Sequence, residues 1–231
     1  MQGGRQCFAH KVYRYRLCAR VIQCMHAMMA RMTRPFAQSC ENNQAPIAKV
    51  LQTAFAHSRH VLEVGSGTGQ HGVYFAPRLP HVVWQTSELP EHHAGIAAWH
   101  AHLPAPNLRT PLHFDVRTSA WPQTAQGVFD AVFTSNTLHI VGWPLVQRLF
   151  ALAGAYVPQG GVFVVYGPFN YGGTFTSASN QAFDAWLRAR DAASGIRDFE
   201  AVVQLAQQHG WSLQHDHPMP ANNRSLVFQK T

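Results

Sequence analysis

Residues 61–70 read Val-Leu-Glu-Val-Gly-Ser-Gly-Thr-Gly-Gln. A short apolar, β-branched run with an acid near its end gives way to glycine at every second position. Such a run fits a buried strand. The glycines fit a turn whose dihedrals are barred to other residues and whose backbone can approach a ligand closely. A helix opening near Gln70 would aim its free N–H groups at the same point. Strand, glycine turn and helix together describe a nucleotide-binding turn of an α/β protein. Dinucleotide sites favour G-x-G-x-x-G, with their acid at the end of the second strand. Here the spacing is G-x-G-x-G, and an acid, Glu63, stands two residues before Gly65.

The remaining pattern predicts a matching sheet. Ile47, Val50, Leu51, Ala54 and Phe55 recur at helical spacing, with Pro46 expected in the first turn. Strands are expected at His60–Val64, His81–Thr86 (ending at Ser87-Glu88), Leu112–Val116 (ending at Asp115), Val128–Thr134 (ending at Ser135-Asn136) and Val162–Tyr166. Helices are expected between them, at Gln70–Ala76, near 92–102 and at Leu145–Tyr156. A glycine-rich loop (Gly167–Thr176), helices near 178–192 and 199–209, and strands at Ser212–His217 and Ser225–Gln229 complete the chain. Alternating strands and helices require a parallel sheet covered on both faces. The short link Pro218–Asn223 permits only an antiparallel pair. The expectation is an α/β, Rossmann-like, mostly parallel seven-stranded sheet with one antiparallel terminal strand.

Composition narrows the function. A chain of 231 residues suits one domain or one domain with an appendage. The net charge of +7 is unevenly spread: six of the eighteen basic residues and none of the eleven acids fall in residues 1–31. The rest is nearly balanced, which argues against nucleic acid as a partner. No apolar run approaches the roughly 20 residues of a membrane span. The cysteines lack the paired spacing of a zinc site, and His92, His93, His100 and His102 read as a histidine-rich solvated helix, so no metal is expected. A cytoplasmic, reducing setting is the simplest reading. The first segment has three readings: an organelle-targeting peptide, a basic arm, or a start codon placed too far upstream of Met28, Met29 or Met32. The last is preferred. Residues 1–32 are then a disordered or artefactual extension and 33–231 the functional domain.

The pattern E-x-G-x-G-x-G resembles the first motif of S-adenosylmethionine-dependent methyltransferases with a Rossmann-like fold. Ligands of open parallel sheets sit beyond the carboxyl ends of the strands. Gly65, Ser66, Gly67 and Gly69 would form the cofactor loop, and Glu63 would attract the amino group of the methionine moiety. Glu88 follows Gly69 by 19 residues, near the spacing at which an acid holds ribose hydroxyls. Asp115 and Val116 would read the adenine, and Asn136 would line the end of the fourth strand. Asp115 also fits a loop cap, and Glu88 a solvated acid.

A longer set of segments is similar to the methyltransferase-like 26 family. These are Ser39–Ile47, Val61–His71, Ser135–Ile140, Tyr166–Phe169, Gly195–Asp198 and Met219–Asn223. The resemblance covers nearly all of residues 33–231 and implies a methyltransferase using S-adenosylmethionine. Two departures stand out. The family's Glu-Arg-Asn before the first helix is here Glu41-Asn42-Asn43, without the cation. The Asp after its strand-two Ser is here Glu88.

The acceptor side is more open. His139 would act as general base or pack. Asn43, Tyr166, Asn170, Asn222 and Asn223 would offer hydrogen bonds to an acceptor, although Asn-Asn is also ordinary turn chemistry. Trp143 and Phe169 would wall the pocket or simply pack. No Asp/Asn-Pro-Pro-Tyr motif for nucleobase nitrogens follows strand four, so a small-molecule acceptor is expected, with no obligate protein partner. The rivals are a nicotinamide-dependent oxidoreductase and a non-catalytic cofactor-binding or scaffold protein.

Overall fold

The computed structural model describes residues 34–123 and 127–231, of which those from Phe36 onward form one compact unit. The basic extension expected over residues 1–32 lies outside the described residues. In chain order the elements are α1 (Gln38–Ala54), β1 (His60–Val64), α2 (Gln70–Phe75), a 3-10 turn (Ala76–Arg78), β2 (Val83–Glu88), α3 (Pro90–His102), β3 (Leu108–His113) and β4 (Ala131–Ser135). They continue with α4 (Trp143–Tyr156), β5 (Val162–Asn170), α5 (Ala178–Arg190), β6 (Arg197–Asp198), α6 (Phe199–Gln208), β7 (Trp211–Met219), a 3-10 turn (Pro220–Asn222) and β8 (Asn223–Lys230). The sheet runs β3-β2-β1-β4-β5-β8-β7, with the two-residue β6 paired to β5. Only β8 is antiparallel to its neighbours. The fold is the expected Rossmann-like one, with the short β6 as an eighth strand.

Side-chain alternation along the strands divides the core in two. Val61, Ala131, Phe133 and Val164 face the layer of Ile47, Leu51, Phe75 and Trp84. Leu62, Val132, Phe163 and Val165 face that of Leu149, Phe150, Leu205 and Trp211. Both faces are covered, so the central strands read as unbroken apolar runs. Glu63 shares the parity of Val61, which turns a carboxyl toward the α1–α2 layer.

Several boundaries differ from the sequence reading, and three of them shift through an identifiable tertiary contact. First, α1 begins at Gln38, so Pro46 and Glu41-Asn42-Asn43 lie inside the helix. Pro46 forfeits one ladder bond there. The extra turns are held because Asn43 heads the buried stripe Asn43-Ile47-Leu51, and Ala37 N donates to Gln70 Oε1 at 2.6 Å. Second, β3 spans Leu108–His113 and places Asp115 two residues beyond the strand. Its pairing begins at Trp84↔Leu108 and then slips by one residue between Gln85 and Ser87. That slip lets an edge strand carry Pro111.

Third, β5 runs on through Asn170, into what reads as loop. Val162 N donates to Asp130 O and Tyr166 O accepts from Asn136 N, so even-numbered residues bond toward β4. The missing N–H of Pro168 therefore falls where β4 has already ended. Phe169 and Asn170 pair with β6 beyond that point, while β8 stays paired through Pro168↔Asn223.

The glycine turn separates two kinds of requirement. Gly69 has φ +87°, and a Cβ there would sit 2.9 Å from the Ile96 Cα. Gly67 has φ +55° but open space around it. Gly69→Ala is expected to destabilise the fold by about 2–4 kcal/mol, from strain plus overpacking. Gly67→Ala should cost about 1 kcal/mol, from strain alone. Urea denaturation of the two variants checks this, and equal losses would show that the Ile96 contact does not matter.

Candidate functional site

The loop after β1 is tied to β2 by a reciprocal set of bonds. Ser66 N donates to Ser87 O at 3.1 Å, Ser87 N donates to Ser66 Oγ at 3.1 Å, and Ser87 Oγ donates to Glu63 O at 2.7 Å. Glu88, at the end of β2, accepts from Gly67 N at 2.9 Å and from Leu89 N at 2.9 Å. Its carboxylate therefore clamps the loop and the start of α3. Thr134 Oγ1 donates to Val64 O at 2.9 Å, and Gly65 leaves room for the Thr137 hydroxyl, which a Cβ would approach to 2.9 Å. The loop is thereby held from both flanking strands.

Glu63 lies beneath this loop and not on an open surface. It is 2 % exposed, and its Oε2 accepts from Trp84 Nε1 at 2.8 Å. Burial pushes its pKa up to about 7, against the lowering effect of the bonds from Trp84 and Ser66. Asp115 is also engaged. The Arg117 side chain hydrogen-bonds both its oxygens at 2.8–3.0 Å and holds its carboxyl below the usual range. Val116 packs on the core, and its carbonyl accepts from Arg148 Nε at 2.6 Å.

A cavity of about 570 Å³ opens beyond the ends of β4 and β5, and Asn43, Asn136, His139, Tyr166 and Asn223 line it. This is the size of a small-molecule pocket. Glu63, the glycines, Glu88, Asp115 and Val116 lie outside its lining, so the structure gathers the expected acceptor residues more tightly than the expected cofactor residues. Asn170 and Asn222 are not brought into the cavity. Asn170 sits against β6, with its buried Oδ1 unpartnered. Asn222 lines a separate cleft with Tyr171 and Arg224, and its carbonyl accepts from Asn180 Nδ2. Trp143 packs against the core and Phe169 belongs to it, so neither walls the cavity.

Four buried polar groups, His71, Asn43, Tyr166 and His139, organise the cavity floor. His71, on α2, is 5 % exposed. Its Nε2 lies 2.7 Å from Asn43 Oδ1, and burial lowers its pKa to about 4. A neutral ring must donate its Nε2 proton to that amide oxygen, which turns the Asn43 NH₂ outward. Asn43 lines the cavity together with Tyr166, and burial pushes the Tyr166 pKa up to about 12, so its hydroxyl keeps its proton to donate. His139 is 4 % exposed, and its ring lies edge-on to Phe183 at 5.4 Å. Burial first, and then the Arg197 charge, lower its pKa to about 4. Among the described residues its ring nitrogens have no hydrogen-bond partner, so a ligand hydroxyl can take that place. Asn136 holds φ +56° at the turn out of β4, a conformation costly for any residue but glycine and met most often by Asn.

Sequence reasoning did not find the role of His71, although it stands within a motif. It expected a helix near 178–192 but not its role at the cavity, where Asn180, Phe183, Trp186 and Arg190 of α5 line one side. Their spacing of three and four residues is a helical stripe, and that signal was available.

The Glu63 environment gives a signed pH test. Between about pH 4.5 and 7 the native carboxyl keeps a proton that the unfolded chain has released, so its contribution to stability falls as pH rises. Glu63→Gln is expected to gain stability relative to the parent across that window, by up to about 3 kcal/mol. Urea denaturation at about pH 5 and about pH 7.5 measures it. A constant difference between the two proteins would rule out a buried, proton-holding Glu63.

Solved structures share this fold. One is an O-methyltransferase family 2 protein from Planctomyces limnophilus in complex with apigenin, with a TM-score of 0.74 and 17 % identity over 84 % of this chain and 58 % of that one. Another is the S-adenosylmethionine-dependent methyltransferase SibL in its apo form (TM-score 0.69, 18 % identity, 83 % of this chain and 55 % of that one). A third is human N-acetylserotonin methyltransferase in complex with SAM (TM-score 0.64, 14 % identity, 81 % and 54 %). The chain thus spans little more than half the length of these proteins. At such identities the likeness establishes the fold. A family model described as "Protein of unknown function (DUF938)" matches residues 34–230. The sheet is therefore that of the Rossmann-like fold these methyltransferases share, carried by a chain that belongs to the DUF938 family.

Proposed function

We propose that the protein is an S-adenosylmethionine-dependent methyltransferase acting on a small molecule, with residues 33–231 as the catalytic domain. The observation that carries this is the left-handed glycine loop after β1, clamped by Glu88 from the end of β2, beside a cavity whose polar groups await a hydroxyl ligand. The kinship to the methyltransferase-like 26 family, inferred from the six motifs, supports the same reading, as does the shared fold. S-adenosylmethionine, when bound, supplies a methyl group already activated on a sulfonium. The residues present fit such a group: Gly67 has open space around it for a close approach, Gly65, Ser66 and Gly69 shape the turn that presents it, and Glu88 can turn its free lone pairs to ribose hydroxyls. Asp115 would have to share its carboxylate with Arg117 to read an adenine.

The chain's own work is then to align and to manage one proton. Asn136, Tyr166 and Asn43 orient the acceptor, and His139 accepts a hydrogen bond from its hydroxyl, whose proton passes on to solvent as the methyl group arrives. His139 is neutral at any ordinary pH, so it is always ready as an acceptor, but its low basicity suits hydrogen bonding in the attack more than full proton storage. We place the protein in the cytoplasm on its composition. Among the described residues no helix is long and apolar enough to cross a membrane.

S-adenosylhomocysteine at about 100 times its Kd should stabilise the fold by about 2.7 kcal/mol, and NAD should not. Stabilisation by NAD alone would overturn the reading. Incubation of methyl-labelled S-adenosylmethionine with a metabolite extract should label a small molecule, and His139→Ala should slow this about 100-fold. Binding without any transfer would favour a non-catalytic protein. Once an acceptor is in hand, the rate should show no break near pH 6.5 from His139, because burial keeps it neutral down to about pH 4. A His139-dependent break near 6.5 would show instead that the ring is solvated.

A further inference from the structure

The wall of the cavity opposite β4 and β5 is a ladder of flat groups. His139 meets Phe183 edge-on, with ring centroids 5.4 Å apart. Phe183 stacks on Trp186 at 5.8 Å and 17°. The Arg190 guanidinium lies over the Trp186 ring, its carbon 4.5 Å from the centroid. The ladder climbs α5 from the buried, hydrogen-bonding end at His139 and Tyr166 to an open end at Arg190. Trp186 is 50 % exposed, an unusual position for a side chain of that size unless something covers it.

Charge along this path has one sign. Among the described residues no carboxylate lines the cavity. Asp184, the acid on the same helix, is buried and committed: it accepts from Arg188 Nε at 2.7 Å and from Ile196 N at 2.7 Å. Arg190 has no carboxylate partner among the described residues. Arg197, beneath the His139 loop, is held by the carbonyls of Leu138, Val141 and Ala193. An ammonium group entering this space would find no counter-charge, and a carboxylate would find Arg190 at the mouth.

We infer that the acceptor is a planar aromatic hydroxy acid: its ring lies along Phe183 and Trp186, its hydroxyl reaches His139 and Tyr166, and its acid group meets Arg190. This rests on reading the cavity as the acceptor site. Guanidinium over indole is a suitable arrangement for it, since the plane is preset and the donors stay free for an oxygen pair. The cavity volume of about 570 Å³ accommodates one or two rings with substituents.

The test uses three phenols of nearly one outline, 4-hydroxyphenylacetate, 4-hydroxyphenylacetamide and tyramine, titrated calorimetrically into the full chain with and without S-adenosylhomocysteine. The acid should bind about threefold more tightly than the amide, as expected for a partly exposed ion pair, and tyramine should bind most weakly. Arg190→Gln should erase the acid-over-amide preference while leaving the amide unchanged, and about 0.5 M NaCl should do the same. Trp186→Ala should weaken all three by about three- to tenfold. Both side chains are exposed, so neither variant threatens the fold. Tyramine binding as tightly as the acid, an unchanged acid-to-amide ratio in Arg190→Gln, or no binding by any of the three would each overturn the inference. If the acid preference holds while S-adenosylhomocysteine does not bind, the methyl-donor reading fails and the acid site stands. If S-adenosylhomocysteine binds and the acid preference is absent, the reverse is true.

Discussion

The stitch between Ser66 and Ser87 is the constraint on which the rest of the structure depends. Its backbone bond from Ser66 N to Ser87 O, the return bond from Ser87 N to the Ser66 hydroxyl, and the Ser87 hydroxyl on Glu63 O hold the chain leaving β1 against the end of β2. The turn can then be made only by alternating left-handed residues, which is why glycine falls at 65, 67 and 69. Once the turn is set, α2 starts at Gln70 and points its first amides back toward the strand ends. Glu88 closes the loop from the other side through Gly67 N.

From α2 the constraint passes to the cavity. His71 lies one residue past the helix start and reaches Asn43, which lines the cavity with Tyr166. A buried polar bond therefore links α2 to α1 beside the end of β5. Left unpaired, either group would be costly so deep in the fold. The neutral state imposed on His71 by burial sets the direction of its bond to Asn43. The loop that would hold a cofactor and the amide that would meet an acceptor are thus parts of one rigid arrangement, joined without passing through solvent.

Much of this was legible beforehand. The apolar run at Val61–Val64, the alternation of strands with helices, and the short link before the last strand led to the sheet and its single antiparallel member. Errors arose where a distant contact overrode a local signal. Pro46 marks a helix start only when nothing else holds the preceding turns, and Asn43 buried against His71 holds them. Gly167-Pro168 reads as loop, yet β5 continues because β8 pairs along one edge and β4 has already departed from the other. The pairing of Asp115 with Arg117, two residues on, was open to inspection, but a carboxylate near a strand end invites a ligand role first.

The sequence by itself determined the strand–glycine–helix turn, the parallel sheet and the polar residues at its strand ends, because these follow from side-chain periodicity and from the φ values that only glycine readily adopts. Tertiary structure alone decided which of those residues share a space. It drew Asn43, Asn136, His139, Tyr166 and Asn223 around one cavity, left Asn170 and Asn222 elsewhere, and buried Glu63 under Trp84. It also brought the Phe183–Trp186–Arg190 face of α5 over the opening. The physical reason is that a residue's chemistry is local, whereas its neighbours across the sheet are set by packing between elements far apart in the chain.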